Sequence, residues 1–261
     1  IQAVLSKPID LILVTLYHFN LLFPIKQGAW QLNIRSQAPI GRGLGSSAAV
    51  ILSILGNLIE HHKVSLSSRE RLALAQRIES RQHGTSSGID PATMIHGGLL
   101  QYQTGSKIIK LPAHQLNAWL IDTGAPDSRT GECVEHVKTL NDRIDWQAFN
   151  KTTNTLIQAL SDNKVEQFKQ GIRQNHQLLI LLGVVPSHIQ IFIESLHQTH
   201  DAAAKICGAG AVYGDKAGMV ICFSQQPPSG LCHDYGFSCE AITLQPKGMQ
   251  IERLTSTEDC S

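Results

Sequence analysis

Apolar and polar positions along this chain recur at two spacings, one typical of helices and the other of strands. Residues 9–22 are mostly apolar, which predicts a buried helix with Ser6 as its cap and Pro8 in its first turn. Residues 30–36 alternate between polar and apolar side chains, as a half-buried strand does. Residues 47–61 are apolar on nearly every face and predict a central helix.

The patterns after residue 66 predict both helices and strands. Ser67 and Glu70 have the spacing of a capping box, which predicts a helix from there to about Arg81. The chain from Arg129 to about His200 is predicted to be mostly helical. Strands are predicted at residues 97–102, 107–111, 117–122, 219–223, 240–244 and 249–254. We therefore expect an α+β protein, divided near residue 125 into a domain 1–125 and a domain 126–261.

Composition narrows the classes of function. With 42% hydrophobic and 16% charged residues, the chain has the composition of a folded globular protein. A formal net charge of +1 gives no electrostatic case for binding nucleic acid or an anionic membrane. The apolar run 9–22 is too short to span a bilayer, and no signal peptide is visible. The cytoplasm is the expected location and a small molecule the expected partner, with a homodimer as one option for assembly.

The cysteines and histidines suggest no metal centre. None of the six cysteines forms a Cys-x-x-Cys pair, and their scatter through apolar segments indicates buried thiols in a reducing compartment. A disulfide among the last three, Cys232, Cys239 and Cys260, is the alternative. The spacings of the histidines match no zinc pattern.

The segment 38–49 carries the strongest chemical signal. Gly41, Gly43 and Gly45 alternate with other residues, and Ser46 and Ser47 follow at the start of the predicted helix. Glycines let the backbone approach a ligand closely, and the unpaired N–H groups of a helix start favour an anion such as phosphate. No lysine follows the last glycine, so this is not a Walker A loop. The alternative is a plain glycine turn capped by Ser46.

A second glycine- and serine-rich segment ends in a carboxylate. It runs from His83 to Asp90, and Glu79 precedes it on the predicted helix. Phosphoryl transfer uses a hydroxyl and a carboxylate to hold Mg²⁺ and a second carboxylate beside the attacking alcohol. Ser47, Glu79 and Asp90 supply this set if their loops converge. Alternatively, Asp90 is only a helix cap, since Pro91 follows it.

The order Pro-x-x-x-Gly-Leu-Gly-Ser-Ser-Ala-Ala at residues 39–49 resembles the nucleotide-phosphate loop of the GHMP kinases. That superfamily includes galactokinase, homoserine kinase, mevalonate kinase and phosphomevalonate kinase. The resemblance implies an N-terminal domain like the second domain of ribosomal protein S5 and a ferredoxin-like C-terminal domain, with ATP and Mg²⁺ between them. It also implies that the ATP phosphates are bound by Gly41, Gly43, Leu44, Gly45, Ser46 and Ser47.

Two further segments resemble motifs of the mevalonate kinases within this superfamily, and a third segment resembles a motif of the superfamily as a whole. The match at residues 83–90 implies that Ser47 and Glu79 bind Mg²⁺ and that Asp90 is the catalytic aspartate. Substrate contacts are implied for His83, Ser87 and Thr123, the last in the segment 121–130. The turn at Gly208, Ala209 and Gly210 resembles the third superfamily motif, which closes against the phosphate loop, although Ala211–Tyr213 interrupt the usual glycine run.

One family motif is absent from this chain. Family members begin with a Pro-Gly-Lys segment followed by Gly-Glu-His, which supplies a lysine near the catalytic aspartate. Nothing like it occurs here, and the chain opens on Ile1, so an N-terminal segment is expected to be missing. The expected activity is ATP-dependent phosphorylation of mevalonate or a similar alcohol. The alternatives are another GHMP kinase, the related diphosphomevalonate decarboxylase, and a ligand sensor that has lost catalysis.

Overall fold

The structure is a computed structural model that describes residues 8–25, 28, 31–112, 116–140 and 143–252. For Pro8, Gln82 and His83 it describes the backbone alone. Ser6 and Cys260, both named above, lie outside the described residues.

Four helices form most of the first half of the chain. They are α1 (Pro8–Leu22), α2 (Ser46–His61), α3 (Ser68–His83) and α4 (Ile89–His96). The sequence patterns predicted α1, α2 and α3, and the capping box between Ser67 and Glu70 is present. The side chains of α2 that face its neighbours are buried, and Phe19 of α1 packs with them in one apolar core. α2 is therefore the central helix of this half, as its all-round apolar pattern predicted.

Two of the predicted strands are wrong in their described parts. Residues 31–36 have no strand structure, although Leu32 and Ile34 do turn inward onto the core around α2. Residues 249–252 are also irregular, and the amide of Met249 bonds to the carbonyl of Met94 at the end of α4. Alternation places side chains on two faces, but a strand also requires a paired neighbour, and no alternation pattern supplies one.

The strands of the described residues form two antiparallel sheets. The smaller sheet pairs β1 (Leu99–Gln101) with β2 (Ile109–Leu111). The larger sheet has the order β4-β5-β3-β6. Its strands are β3 (Ala118–Asp122), β4 (Ala203–Ile206), β5 (Met219–Phe223) and β6 (Ser238–Ile242). The sequence predicted β1, β2, β3 and β5, and β6 begins slightly earlier than predicted, whereas β4 was not foreseen.

Helices follow β3; the first four lie between residues 129 and 200, which were predicted to be mostly helical, whereas the last, short helix was not predicted. They are α5 (Thr130–Leu140), α6 (Trp146–Ser161), α7 (Val165–Leu181), α8 (Ser187–Thr199) and α9 (Ser229–Asp234). Ile189, Phe192 and Ile193 of α8 are fully buried in a core that also contains Val220 of β5 and Ile206 of β4.

The central strand β3 pairs with two strands from the last part of the chain. It pairs with β5 on one side and with β6 on the other, so Asp122 lies opposite both Met219 and Ser238. A division at residue 125 would separate β3 from both of its neighbours in the sheet. The boundary at residue 125 stays a prediction.

The five described cysteines are free thiols, and Cys133, Cys222 and Cys232 are buried. Burial raises the pKa of Cys222 and of Cys232 to about 12, as expected for inert core thiols. In the described part of the chain, every helix is too short or too polar to cross a bilayer.

Candidate functional site

The loop before α2 has a backbone that only glycine adopts readily. Gly41, Gly43 and Gly45 have φ angles of 70°, 79° and 69°, in the left-handed region. Gly45 is the N-cap of α2 and no side chain caps the helix, so the alternative in which Ser46 is the cap is wrong. The amide of Ala49 makes the first helical bond, to the carbonyl of Gly45 at 3.1 Å. The start of α2 thus presents its first N–H groups without a side-chain cap.

A second glycine-rich turn lies against this loop, backbone to backbone. A Cβ on Gly208 would stand 2.7 Å from the Cα of Gly43, and one on Gly43 would stand 2.9 Å from the carbonyl oxygen of Cys207. Gly210 faces the other way, since a Cβ there would meet the carbonyl of Val184. The structure therefore brings Gly43 and Gly208 together, as expected of the third motif, while Gly210 serves packing on the α7–α8 turn.

Asp90 lies beside the last glycine of the loop. It occupies the first turn of α4, whose N-cap is Gly88, so the alternative in which Asp90 caps the helix is wrong. A Cβ on Gly45 would stand 3.0 Å from the carboxyl carbon of Asp90 and 3.0 Å from the methyl carbon of Met94. The predicted catalytic carboxylate thus lies directly beside the predicted phosphate loop.

Glu79 is a buried carboxylate. It is 6% exposed on α3 and accepts a short hydrogen bond from the hydroxyl of Ser86. The same hydroxyl accepts the amide of Gly88 at 3.1 Å. Glu79 therefore supports the loop that leads into α4 and Asp90. Ser47, its predicted partner in binding Mg²⁺, is on α2, which packs against α3.

The residues predicted to contact the substrate differ in their exposure and in their hydrogen bonds. The exposed Ser87 hydroxyl accepts the amide of Ile89 at 3.3 Å. The buried Thr123 hydroxyl donates to the carbonyl of Gly218 at 2.7 Å and accepts the amide of Ala217 at 3.1 Å. The role predicted for the His83 side chain lies outside the described residues. Thr123 thus fastens two segments together, and its hydroxyl already has both a donor and an acceptor partner.

Sequence reasoning missed an ion pair at the edge of the loop. Arg42 donates from Nη1 to Oδ1 of Asp122 at 2.7 Å, although the two residues lie in distant parts of the chain. The sequence did show an arginine inside a glycine loop and an aspartate at the end of a predicted strand. Nothing in the sequence indicates that these two residues contact each other.

The residues predicted to bind Mg²⁺ and ATP have part of the chemistry that a magnesium–nucleotide site requires. Within the described ranges, no group of three or more His, Cys, Asp or Glu side chains is arranged to hold a metal ion. Mg²⁺ at nucleotide sites takes one or two carboxylates, with phosphates and waters as its other ligands, and so does not require such a group. A buried carboxylate at Glu79 and an uncapped helix start are compatible with that arrangement.

Comparison with known proteins identifies the class. Residues 10–98 match the family model of the GHMP kinases N-terminal domain. A solved structure of the Methanococcus jannaschii mevalonate kinase superposes with a TM-score of 0.73 at 20% identity, covering 91% of this chain and 76% of that one. The chain has the α+β fold of the GHMP kinases and belongs to that superfamily.

Curated relatives narrow the resemblance within the superfamily. The mevalonate kinase of Thermococcus sibiricus is 32% identical over 197 residues, which are 71% of this chain and 58% of that protein. The mevalonate kinase of Schizosaccharomyces pombe is 34% identical over 207 residues, covering 69% of this chain and 50% of the relative. The chain thus spans between half and three-fifths of the length of these relatives.

Proposed function

We propose that the protein is an ATP-dependent small-molecule kinase that phosphorylates an alcohol, with mevalonate as its substrate and 5-phosphomevalonate as its product. The observation that carries this proposal is the contact between Asp90 and Gly45 at the uncapped start of α2. It places a carboxylate within a side chain's reach of the loop that would hold the phosphates. The identity with mevalonate kinases favours mevalonate among the alcohols.

In this proposal the phosphate loop binds ATP through its backbone. The N–H groups at the start of α2 have no side-chain cap and would bind the phosphates, and the helix dipole there also favours negative charge. The contact between Gly43 and Gly208 closes the other side of the loop. A loop held in this shape before the anion arrives would lower the free-energy cost of binding.

Asp90 would orient the acceptor hydroxyl and take its proton. As the acceptor oxygen bonds to the γ-phosphorus, the bond from that phosphorus to the β–γ bridging oxygen breaks and ADP leaves. The hydroxyl proton passes to the Asp90 carboxylate late in the step, because a loose transition state demands little of the base. Ser47 and Glu79 would hold Mg²⁺, which supplies neutralisation of the charge on the transferring phosphoryl group.

Ser87 and Thr123 would shape the acceptor side of the site, and His83 remains a proposed contact. Because the Thr123 hydroxyl already donates one hydrogen bond and accepts another within the protein, we propose that this residue acts by holding the turn after β3 in place. The division into domains at residue 125 and the cytoplasmic location belong to the same proposal.

The test is an ATP-consumption assay with purified protein and a panel of acceptors. The panel contains mevalonate, phosphomevalonate, diphosphomevalonate, homoserine and galactose, with product identified by mass spectrometry and CO₂ release measured. We expect ADP and 5-phosphomevalonate from mevalonate alone. Release of CO₂ from diphosphomevalonate would identify the decarboxylase instead. Binding of ATP without turnover on any acceptor would identify a sensor.

A further inference from the structure

We propose that Arg42 is a positioning residue that anchors the phosphate loop to the larger sheet, with Asp122 as its partner. This inference rests on the proposed function, because it assigns a role within the same site. It is carried by two separate contacts of Arg42, one through its side chain and one through its backbone.

The side-chain contact is a partly buried ion pair. Arg42 Nη1 and Asp122 Oδ1 are 2.7 Å apart, and the two side chains are 25% and 27% exposed. Fully exposed pairs contribute little because water and salt screen them, whereas this pair is largely removed from solvent. The interaction joins the phosphate loop to the last residue of β3.

The backbone contact reaches the neighbouring strand. The carbonyl of Arg42 accepts the amide of Met219 at 3.0 Å, and Met219 is the residue that pairs with Asp122 across β3 and β5. Arg42 therefore binds both members of one cross-strand pair. Two attachments to one rigid point restrain the orientation of the loop as well as its position.

The same anchor extends to the acceptor side of the site. Oδ1 of Asp122 also accepts the amide of Gly124 at 2.8 Å, next to Thr123. Gly218 packs against Arg42 so closely that a Cβ on it would lie 2.7 Å from the Arg42 carbonyl oxygen. One carboxylate oxygen thus ties the phosphate loop to the turn that follows β3.

The anchor matters because the loop lacks rigidity of its own. Three glycines in the left-handed region leave the free chain many other conformations. Holding the loop in its binding shape before the nucleotide arrives removes an entropic cost of binding. Arg42 would therefore raise nucleotide affinity through the loop, without itself touching the phosphates.

A direct phosphate contact by Arg42 is the competing explanation, and Asp122 separates the two. If Arg42 positions the loop, Asp122→Asn weakens nucleotide binding as Arg42→Gln does. If Arg42 binds phosphate directly, Asp122→Asn frees its guanidinium, and nucleotide binding stays the same or becomes tighter.

The experiment measures the dissociation constant of a fluorescent ATP analogue together with hydrogen exchange of residues 41–47 in the unliganded protein. The variants are Arg42→Gln, Asp122→Asn and both together. The control is Arg173→Gln, which breaks another arginine–aspartate ion pair, between Arg173 and Asp201 at 3.1 Å. Asp201 precedes β4, whereas Cys207, which contacts the phosphate loop, follows the other end of that strand. Thermal unfolding of each variant checks that it is folded.

We expect each single variant to raise the dissociation constant about tenfold, the effect of losing one charge-assisted contact. The double variant should lose no more than the weaker-binding single variant, since both changes remove the same interaction. Exchange of residues 41–47 should become faster in all three, and Arg173→Gln should change neither readout. Arg42→Lys keeps the charge but not the planar geometry, so it should be intermediate.

Unchanged exchange of residues 41–47 in folded Arg42→Gln, or unchanged or tighter nucleotide binding by Asp122→Asn, would overturn the inference. A parent protein that binds no ATP would contradict the proposed function instead. In that case the exchange measurement still tests the anchor by itself, because it requires no nucleotide.

Discussion

The carboxyl carbon of Asp90 lies 3.0 Å from the point where a Cβ on Gly45 would stand. The absent side chain of Gly45 leaves the space that the Asp90 carboxylate partly fills, beside the first turn of α2. A residue predicted to take a proton and a loop predicted to bind phosphate therefore lie side by side, too close for a side chain between them, although they come from different helix–loop segments.

Asp90→Asn should lower the turnover of mevalonate by about two to four orders of magnitude, the range expected for loss of general-base assistance. Asparagine keeps the size of the side chain but removes the charge and the proton acceptor. Binding of ATP and of the acceptor should change far less, because the lost interaction belongs mainly to the transition state. Single-turnover kinetics and calorimetric binding measure the two effects separately.

The control for Asp90 is Glu132→Gln, which removes a first-turn carboxylate from α5. Like Asp90→Asn, this substitution removes a negative charge that interacts favourably with a helix dipole, but the charge belongs to another helix. If Asp90→Asn turned over at nearly the parent rate, Asp90 would have only a structural role in α4.

Gly43→Ala should weaken ATP binding at least about tenfold, because its Cβ would press against the carbonyl of Cys207 at 2.9 Å and displace the loop. Gly41→Ala is the matched control. It has a similar positive φ of 70° but open space around its Cβ, so it should cost only the backbone strain of about 1–2 kcal/mol. Calorimetric titration with ATP and chemical unfolding compare the two.

Equal ATP affinity in the two alanine variants would mean that the contact with the Cys207–Gly208 turn does not shape the binding site. Substitution of Gly45 is a less selective test of the loop. A side chain there would also collide with Asp90 and Met94, so lost activity would have two causes.

Glu79→Gln should raise the Mg²⁺ concentration for half-maximal activity by about tenfold, since a carboxylate is a far better Mg²⁺ ligand than an amide. The amide oxygen can still accept the Ser86 hydroxyl, so the loop before α4 should keep its shape. Ser86→Ala is the control, because it removes this hydrogen bond and leaves the carboxylate. An unaltered Mg²⁺ dependence in Glu79→Gln would reduce Glu79 to a support for that loop.

Thr123→Val should destabilise the protein by about 1–3 kcal/mol, because it leaves the amide of Ala217 and the carbonyl of Gly218 without the hydroxyl that both use. Thr123→Ser retains the hydroxyl and should recover most of the loss. Urea unfolding measures both variants. A rise in KM for the acceptor, with the stability of Thr123→Val unchanged, would instead assign the hydroxyl to the substrate.

Stability should fall on acidification because of His176. Burial, followed by the nearby charges of His197 and Lys205, lowers the pKa of His176 from 6.5 to about 4. Its Nδ1 has no hydrogen-bond partner among the described residues. Above pH 6.5 the imidazole is neutral in both states. Between pH 6.5 and about 4 only the unfolded chain takes up the proton, so up to about 3 kcal/mol of stability is lost on this interval.

His176→Phe should make the free energy of unfolding less dependent on pH over that interval, while keeping the aromatic contact with His197. Some dependence should remain, because burial also lowers the pKa of His197. His233→Gln is the control, since the His233 side chain is 92% exposed. Urea unfolding at several pH values measures this dependence. If the free energy of unfolding fell equally steeply on acidification in His176→Phe and in the parent, His176 would not be its cause.

Local sequence rules determined α1, α2 and α3 and the chemical character of the site. The capping box at Ser67 and Glu70 acts within one turn, and the all-round apolar pattern of α2 can be read from the sequence alone, so both were predictable. The glycines before α2 and the carboxylate of Asp90 were identified by residue type and order. These features depend on residues only a few positions apart, which is the range over which a sequence pattern is informative.

Tertiary structure alone decided which segments meet. Residues 31–36 alternate like a strand but have none of its structure, whereas β4 forms without a clear pattern because β5 is there to pair with it. The approach of Gly43 to Gly208 and the ion pair between Arg42 and Asp122 link distant parts of the chain. No local propensity encodes such partners, since they result from the packing of whole elements and from the register of β3 against β5.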